Sequence, residues 1–138
     1  MMKLRLGSTN ADLAQRFGIS STNVSNIFTT WIKVLATELR CLVYNPPIDV
    51  VKKTLPKRYR KTGFSKVRHI IDCTEIFIET PSDPALNAAT WSDYKHHNTA
   101  KVLVSITPNG AFNFISDAWG GRTSDVYLTR ESNFHEIL

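Results

Sequence analysis

Cysteine, long apolar runs and, in the first half, acidic residues are all scarce in this chain of 138 residues. Its two cysteines, Cys41 and Cys73, have no spacing typical of a zinc site, so we expect free thiols of an intracellular protein. No apolar run approaches the roughly 18 residues that span a bilayer. The N-terminus also lacks the apolar stretch of a signal peptide. The sequence therefore predicts no membrane association, and its length suits one domain or two small ones.

Charge is divided unevenly along the chain. Residues 1–69 hold 13 Lys and Arg against 3 Asp and Glu, whereas residues 70–138 hold 4 against 9. The formal net charge of +5 hides this division. A basic half is typical of a protein that contacts a polyanion, and a generic solvated surface is the alternative. The asymmetry favours nucleic acid as the partner.

Residues 9–43 predict two helices joined by a tight turn. Gly18 supplies the conformationally permissive residue of the turn, and Ser20 or Ser21 can cap the second helix. Apolar residues recur along that helix with a period of about 3.6 residues. These periodic residues are Val24, Ile27, Phe28, Trp31, Ile32 and Leu35. The spacing of Ala14, Gly18, Val24 and Ile27 is that of a helix-turn-helix.

Short polar side chains lie near the start of the second helix. They are Ser21, Thr22, Asn23, Ser25 and Asn26. Recognition helices present such side chains to base edges in the major groove. The alternative is a simple helical hairpin with a solvated polar face. We interpret residues 1–43 as a helix-turn-helix DNA-binding domain, with Val24 and Ile27 on the inner face of the second helix.

Residues 44–68 are predicted to form an irregular basic linker. Asn45-Pro46-Pro47 opens it, and Pro56 and Gly63 fit poorly into a continuous helix. Its densest cationic run is Lys57, Arg58, Arg60 and Lys61. This run is a candidate for contacts with DNA phosphates, although a solvated charged linker is the alternative. It is also a weak signal for localisation in the nucleus.

Residues 69–138 are predicted to form strands followed by a helix. Two strands, 101–107 and 111–116, flank a hairpin turn at Pro108-Asn109-Gly110. A loop, Gly120-Gly121-Arg122, leads into the helix, with Thr123 or Ser124 as its cap. Three successive strands and a helix indicate an α+β or mixed-sheet, nuclease-like core.

The strand at residues 70–79 places an acidic residue, Asp72, among isoleucines and a phenylalanine. Such a strand is usually buried, and a buried carboxylate needs a cation or a hydrogen-bond donor to compensate for lost hydration. A divalent metal used in phosphoryl transfer would provide that compensation. Glu75 projects to the opposite face of the strand from Asp72, because side chains alternate. Lys95, His96, His97 and Lys101 are candidates for contact with DNA phosphate.

These segments together resemble the PIF/Harbinger-type DDE superfamily endonucleases, a transposase-derived group with an N-terminal helix-turn-helix. The resembling stretches, in chain order, are residues 2–6, 12–20, 24–31, 70–79, 94–101, 106–110 and 121–125. The resemblance implies an α+β chain, with a helix-turn-helix followed by a partial RNase H-like mixed α/β nuclease domain over residues 69–138. DNA is the implied partner, together with an accessory DNA-binding protein or a second copy of the chain.

The resemblance also implies a metal-binding triad of two aspartates and a glutamate, with Mg²⁺ or Mn²⁺ as the cofactor. The first aspartate falls on Asp72, as catalytic residue and metal ligand. The other two are expected beyond Leu138, so we expect a fragment that is inactive alone. Glu75 and Asp125 are the nearest substitute ligands, although a role in the first turn of a helix explains Asp125 equally well. The alternatives are a non-enzymatic DNA-binding protein derived from a transposase and a nonfunctional remnant whose exposed edge strand aggregates.

Overall fold

Three helices form the first of the two units into which the chain divides in the computed structural model, which describes all 138 residues. This unit, Met1–Cys41, contains α1 (Met2–Leu6), α2 (Asn10–Phe17) and α3 (Ser21–Glu38). A 3₁₀ turn over Leu39–Leu42 follows α3. The two helices predicted from the periodicity are confirmed.

The turn between α2 and α3 is closed by backbone and side-chain hydrogen bonds. Gly18 adopts the left-handed conformation, with φ of 63°, and its N–H and that of Ile19 both donate to the carbonyl of Ala14. Such bonds satisfy the last carbonyls of a helix. The Ser20 hydroxyl accepts a hydrogen bond of 3.1 Å from the N–H of Asn23 and caps α3. Gly18 is therefore the turn residue and Ser20 the cap, as the sequence predicts.

The apolar stripe of α3 is only partly covered. Leu13 and Val24 are buried, but Ile27 and Trp31 are 51% and 59% exposed. Ile27 does lie on the inner face, because it lines one apolar groove together with Leu13 and Val24, but this groove is open to solvent. The reason is length, because α1 and α2 have 5 and 8 residues and cannot cover a helix of 18.

The second unit, Leu42–Leu138, begins with two short helices that the sequence reading missed. They are α4 (Ile48–Thr54) and α5 (Lys57–Lys61), in a segment expected to be irregular. Pro47 and Pro56 occupy the N-cap positions of these helices. Proline is tolerated at a helix start, where its missing N–H and fixed φ cost little. Residues interpreted as helix breakers thus precede helices.

An antiparallel sheet forms the rest of the second unit. Its central strand is β3 (His97–Ile106), which pairs along one edge with β1 (Ile70–Phe77). Three short strands pair with the other edge of β3. They are β2 (Trp91–Ser92), β4 (Phe112–Ile115) and β5 (Trp119–Gly120). An unpredicted helix, α6 (Pro84–Thr90), lies between β1 and β2 and is capped by Asp83.

The core of the second unit lies on one face of this sheet. Leu103 of β3 packs there with Leu128 of α7 (Asp125–Glu131) and with Phe134 of a final 3₁₀ turn. The Ser124 hydroxyl accepts a hydrogen bond from the N–H of Tyr127, which makes Ser124 the cap of α7. The predicted α+β class, the hairpin strands and the C-terminal helix are confirmed.

The opposite face of the sheet is largely open. The side chain of Asn98, buried at one end, donates hydrogen bonds to Asn87 and Thr90 of α6. Further along β1, Asp72 and Ile76 on this face are exposed. None of the helices in either unit combines the length and the hydropathy needed to cross a membrane.

Candidate nucleic-acid interface and carboxylate cluster

The first turns of α3 present a row of exposed polar side chains. The five residues predicted to contact DNA bases, Ser21, Thr22, Asn23, Ser25 and Asn26, are all exposed. None of their side chains makes a hydrogen bond within the protein, because the one bond here is from the backbone N–H of Asn23 to the cap. Their donors and acceptors are therefore free to meet a ligand.

One cation in the basic run of α5, Arg60, has a structural role. The guanidinium of Arg60 donates to the carbonyls of Lys52 and Lys53, at 3.3 and 3.2 Å, and so satisfies the C-terminal end of α4. The other three, Lys57, Arg58 and Lys61, are exposed and make no ion pair or side-chain hydrogen bond. Those three side chains are the ones free for phosphate contact.

Asp72 lies on the open face of the sheet, opposite Val104 of β3. It is exposed, whereas the strand pattern predicts a buried carboxylate. The difference arises because β1 is an edge strand and no helix covers its central part. The role of Asp72 as a metal ligand stays a prediction.

The buried carboxylate of β1 is that of Glu75, whose side chain is 7% exposed. Glu75 stands directly opposite Lys101 in the register of β1 and β3, and the ammonium lies 3.4 Å from its Oε1. The Thr99 hydroxyl donates to Oε2 at 2.8 Å. The ammonium of Lys101 also donates to Asp125 Oδ1 at 3.0 Å and to the carbonyl of Thr123 at 2.8 Å. We call Glu75, Lys101 and Asp125 the ionic cluster.

Protonation of the ionic cluster is controlled by these contacts. Burial alone would raise the pKa of Glu75, but hydrogen bonds from Ser92 and Thr99 and the charge of Lys101 together lower it. Burial alone would lower the pKa of Lys101, but Asp125 and then Glu75 raise it. Burial, followed by the charge of Asp125, raises the pKa of the nearby Cys73 thiol to about 11. Glu75 and Lys101 are therefore ionised at neutral pH, and Cys73 is a thiol.

The carboxylates do not combine into a site for a divalent metal. No group of three His, Cys, Asp or Glu side chains is arranged to hold a metal ion. Glu75 lies on the other face of β1 from Asp72, as alternation predicts, and both Glu75 and Asp125 contact the ammonium of Lys101. The residues present thus offer Asp72 as one isolated ligand.

Lys101 was expected to contact DNA phosphate, and that expectation is wrong. Its side chain is 10% exposed and is committed to the ionic cluster. Neither this role of Lys101 nor the hydrogen bond of Thr99 was predicted from the sequence. The sequence did contain a signal, because every second residue of a strand lies on the same face. Thr99 and Lys101 therefore share the covered face of β3 with the apolar Leu103.

Two matches to family models cover most of the chain. Residues 71–138 match the model described as DDE superfamily endonuclease. Residues 1–41 match the model described as helix-turn-helix of DDE superfamily endonuclease. Comparisons with curated proteins and with solved structures gave no match.

Proposed function

We propose that this chain binds DNA through the first turns of α3 and derives from a DNA-cleaving transposase. Both family matches support a DDE-type transposase family. The observation that carries the proposal is the capped start of α3 with its five free polar side chains. The stretches that resemble the PIF/Harbinger-type group support that subtype. DNA as the ligand and the basic run of α5 support the nucleus as its location.

Two kinds of DNA contact are proposed for the two units. The polar side chains of α3 would contact base edges, which carry sequence information. Lys57, Arg58 and Lys61 of α5 would contact phosphates, which add affinity without selectivity. Loss of the base contacts should therefore reduce selectivity between DNA sequences, whereas loss of the phosphate contacts should reduce affinity for all sequences alike.

Substituting two amides of α3 tests the base contacts. We expect Asn23→Ala/Asn26→Ala to weaken binding to a duplex selected by the wild-type chain from a random library by at least about tenfold. Binding to an unselected duplex should change little, because the phosphate contacts remain. Fluorescence anisotropy with both duplexes measures this. The matched control is Thr29→Ala/Thr30→Ala, two exposed residues further along α3.

The phosphate contacts supply the second arm of this experiment. Neutralising Lys57, Arg58 and Lys61 to serine should weaken binding to both duplexes alike. It should also reduce the slope of log K against log salt concentration by about 2 to 3, since each phosphate contact contributes about 0.9. Loss of selectivity in the α5 variant, or equal loss on both duplexes in the α3 variant, would contradict the assignment.

For DNA cleavage, we propose Asp72 as catalytic residue and as one ligand of a divalent cation, Mg²⁺ or Mn²⁺, which when bound would supply positive charge to the phosphate oxygens. The second candidate function is non-enzymatic DNA binding. It is favoured by the ionic cluster, since both Glu75 and Asp125 are already paired with the ammonium of Lys101.

Accordingly, we expect no strand cleavage by the 138-residue chain alone. Incubation with supercoiled plasmid and Mg²⁺ or Mn²⁺ should give no more nicked product than the Asp72→Ala variant gives. Gel quantification of the nicked circle measures this. Metal-dependent nicking that Asp72→Ala abolishes would show that one ligand and the remaining groups suffice, against our expectation.

A further inference from the structure

A cavity of about 470 Å³ lies where α6, β2 and the loop after β5 meet. Small-molecule sites in proteins have volumes of roughly 300 to 1,000 Å³. Both β2 and β5 pair with the edge of β3 that β1 does not occupy. Three segments of the second unit therefore form the cavity, on the side of β3 away from β1.

The loop after β5, which carries Arg122, is packed tightly against α6 and β3. The N–H of Gly121 donates to the carbonyl of Thr99 at 3.0 Å, and the N–H of Arg122 donates to the carbonyl of Ala89 at 3.4 Å. A Cβ built on Gly121 would overlap the hydroxyl of Thr99 and lie 2.8 Å from the carbonyl oxygen of Thr90. The backbone of Arg122 is therefore fixed beside the cavity.

Three polar side chains that line the cavity are free to contact a ligand. The guanidinium of Arg122 and the carboxylate of Asp93 are exposed and make no hydrogen bond or ion pair within the chain. The Nδ2 of Asn98 donates to the backbone carbonyl of Asn87 at 3.0 Å and to its Oδ1 at 2.9 Å. Because the Oδ1 of Asn87 is used in this bond, its amino group is the part left for a ligand.

Trp91 adds an aromatic surface to the same cavity. It is 41% exposed, although its strand is paired with β3. Nucleobases stack on exposed aromatic side chains, because every base has a π face. The cavity thus combines a stacking surface, a cation and a carboxylate next to an amide, which match the ring, the phosphate and the polar edge of a nucleotide.

We propose that this cavity binds a guanine nucleotide, either free or within a single DNA strand. The guanine ring would stack on Trp91, and the guanidinium of Arg122 would pair with the phosphate. The carboxylate of Asp93 would accept hydrogen bonds from N1–H and from the N2 amino group. The amino group of Asn87 would donate to O6. The site shares no residue with the DNA contacts proposed for α3 and α5, so it does not rest on them.

The order of donors and acceptors distinguishes the four bases. Guanine presents one acceptor and two donors, which match the amino group of Asn87 and the carboxylate of Asp93. Thymine matches at O4 and N3–H but presents the acceptor O2 to the carboxylate. Adenine and cytosine present an amino group to the amino group of Asn87 and an unprotonated ring nitrogen to the carboxylate. We therefore expect guanine to bind most tightly, thymine next, and adenine and cytosine at least about tenfold more weakly than guanine.

Titration of mononucleotides into the nitrogen-labelled full chain tests the site. Guanosine monophosphate should shift the indole N–H signal of Trp91, with the signal of Trp31 as a reference in the same spectrum. A short single strand of adenines with one central guanine distinguishes the two sources, with the all-adenine strand as its control. Tighter binding of that strand than of the free nucleotide assigns the site to DNA, and binding no tighter assigns it to the free nucleotide. No shift of the Trp91 signal at millimolar guanosine monophosphate, or equal affinity for all four mononucleotides, would overturn the proposal.

Two substitutions of exposed side chains separate recognition from folding. Asp93→Asn should weaken binding of guanosine monophosphate by about tenfold and reduce the preference for guanine over adenine, because asparagine presents a donor to a donor of guanine. Arg122→Gln should weaken binding of guanosine monophosphate by about threefold to tenfold and leave guanosine, which has no phosphate, unaffected. The matched controls are Asp117→Asn and Arg130→Gln, exposed residues of the same unit that do not line the cavity. Equal losses in the controls, or equal losses for guanosine and its monophosphate in Arg122→Gln, would contradict the assignment.

Discussion

Replacing Lys101 by methionine is expected to lower the free energy of unfolding of the second unit by about 3 to 5 kcal/mol. Methionine keeps the length of the side chain but removes the ammonium that lies between Glu75 and Asp125. Glu75 would then be a buried carboxylate without a cation, whereas Asp125 is exposed enough to be solvated. Urea unfolding monitored by circular dichroism measures the loss.

The partner variants and pH identify the cause of that loss. Lys101→Met/Glu75→Gln should recover a substantial part of the lost stability, because glutamine can still accept the hydrogen bond from Thr99.

In the wild type the lowered pKa of Glu75 gives stability that is present above its ordinary pKa and lost as pH falls through the folded value. In the Lys101→Met variant the ammonium no longer lowers the pKa of Glu75, so this pKa lies above its wild-type value and Glu75 is protonated at a higher pH than in the wild type. The difference in free energy of unfolding between Lys101→Met and the wild type should therefore become smaller from pH 7 to pH 4. A difference that does not depend on pH would contradict this explanation.

The second large effect is expected from Gly120→Ala. A Cβ built on Gly120 would overlap the carbonyl oxygen of Ala89 and lie 2.9 Å from its carbonyl carbon. These are backbone atoms of α6, so relief requires α6 and β5 to separate. We expect a loss of about 3 kcal/mol, at the upper end of the cost of overpacking. Thermal and urea unfolding measure it.

Gly110→Ala is the matched control for this substitution. Gly110 lies in the same unit, but a Cβ there meets no atom within 4 Å. The destabilisation therefore comes only from the backbone strain of an alanine at a φ of 91°. We expect that cost to be about 1 to 2 kcal/mol. If Gly120→Ala lowers the free energy of unfolding no more than Gly110→Ala does, α6 is not packed closely against β5.

Local chemistry explains which parts of the fold could be predicted from the sequence. Gly18 and Ser20 determine the turn between α2 and α3 through bonds to residues at most four positions away, so sequence alone identifies them. Pro47 and Pro56 misled the interpretation because proline is compatible with a helix start as well as with an irregular segment. The Asp83-Pro84 pair before α6 carries the same start signal and was missed.

The carboxylates show why the candidate site was harder to predict. The composition of β1 correctly indicates that a carboxylate there needs compensation, but burial depends on which face α7 covers. That face carries Glu75, and the compensating group is Lys101, 26 positions away in sequence and opposite only in the observed register. Register is a tertiary property that turn and packing geometry decide. Asp72 consequently lies exposed where the pattern predicts burial.

The most direct test of the account is to locate the DNA-binding surface by nuclear magnetic resonance. A selected duplex is titrated into the nitrogen-labelled chain, and the amide chemical shifts are followed residue by residue. We predict the largest changes at Ser20–Asn26, with a second, salt-sensitive set at Lys57–Lys61. Changes confined to the open face of the sheet around Asp72, with α3 unaffected, would contradict the claim that α3 is the DNA-reading element.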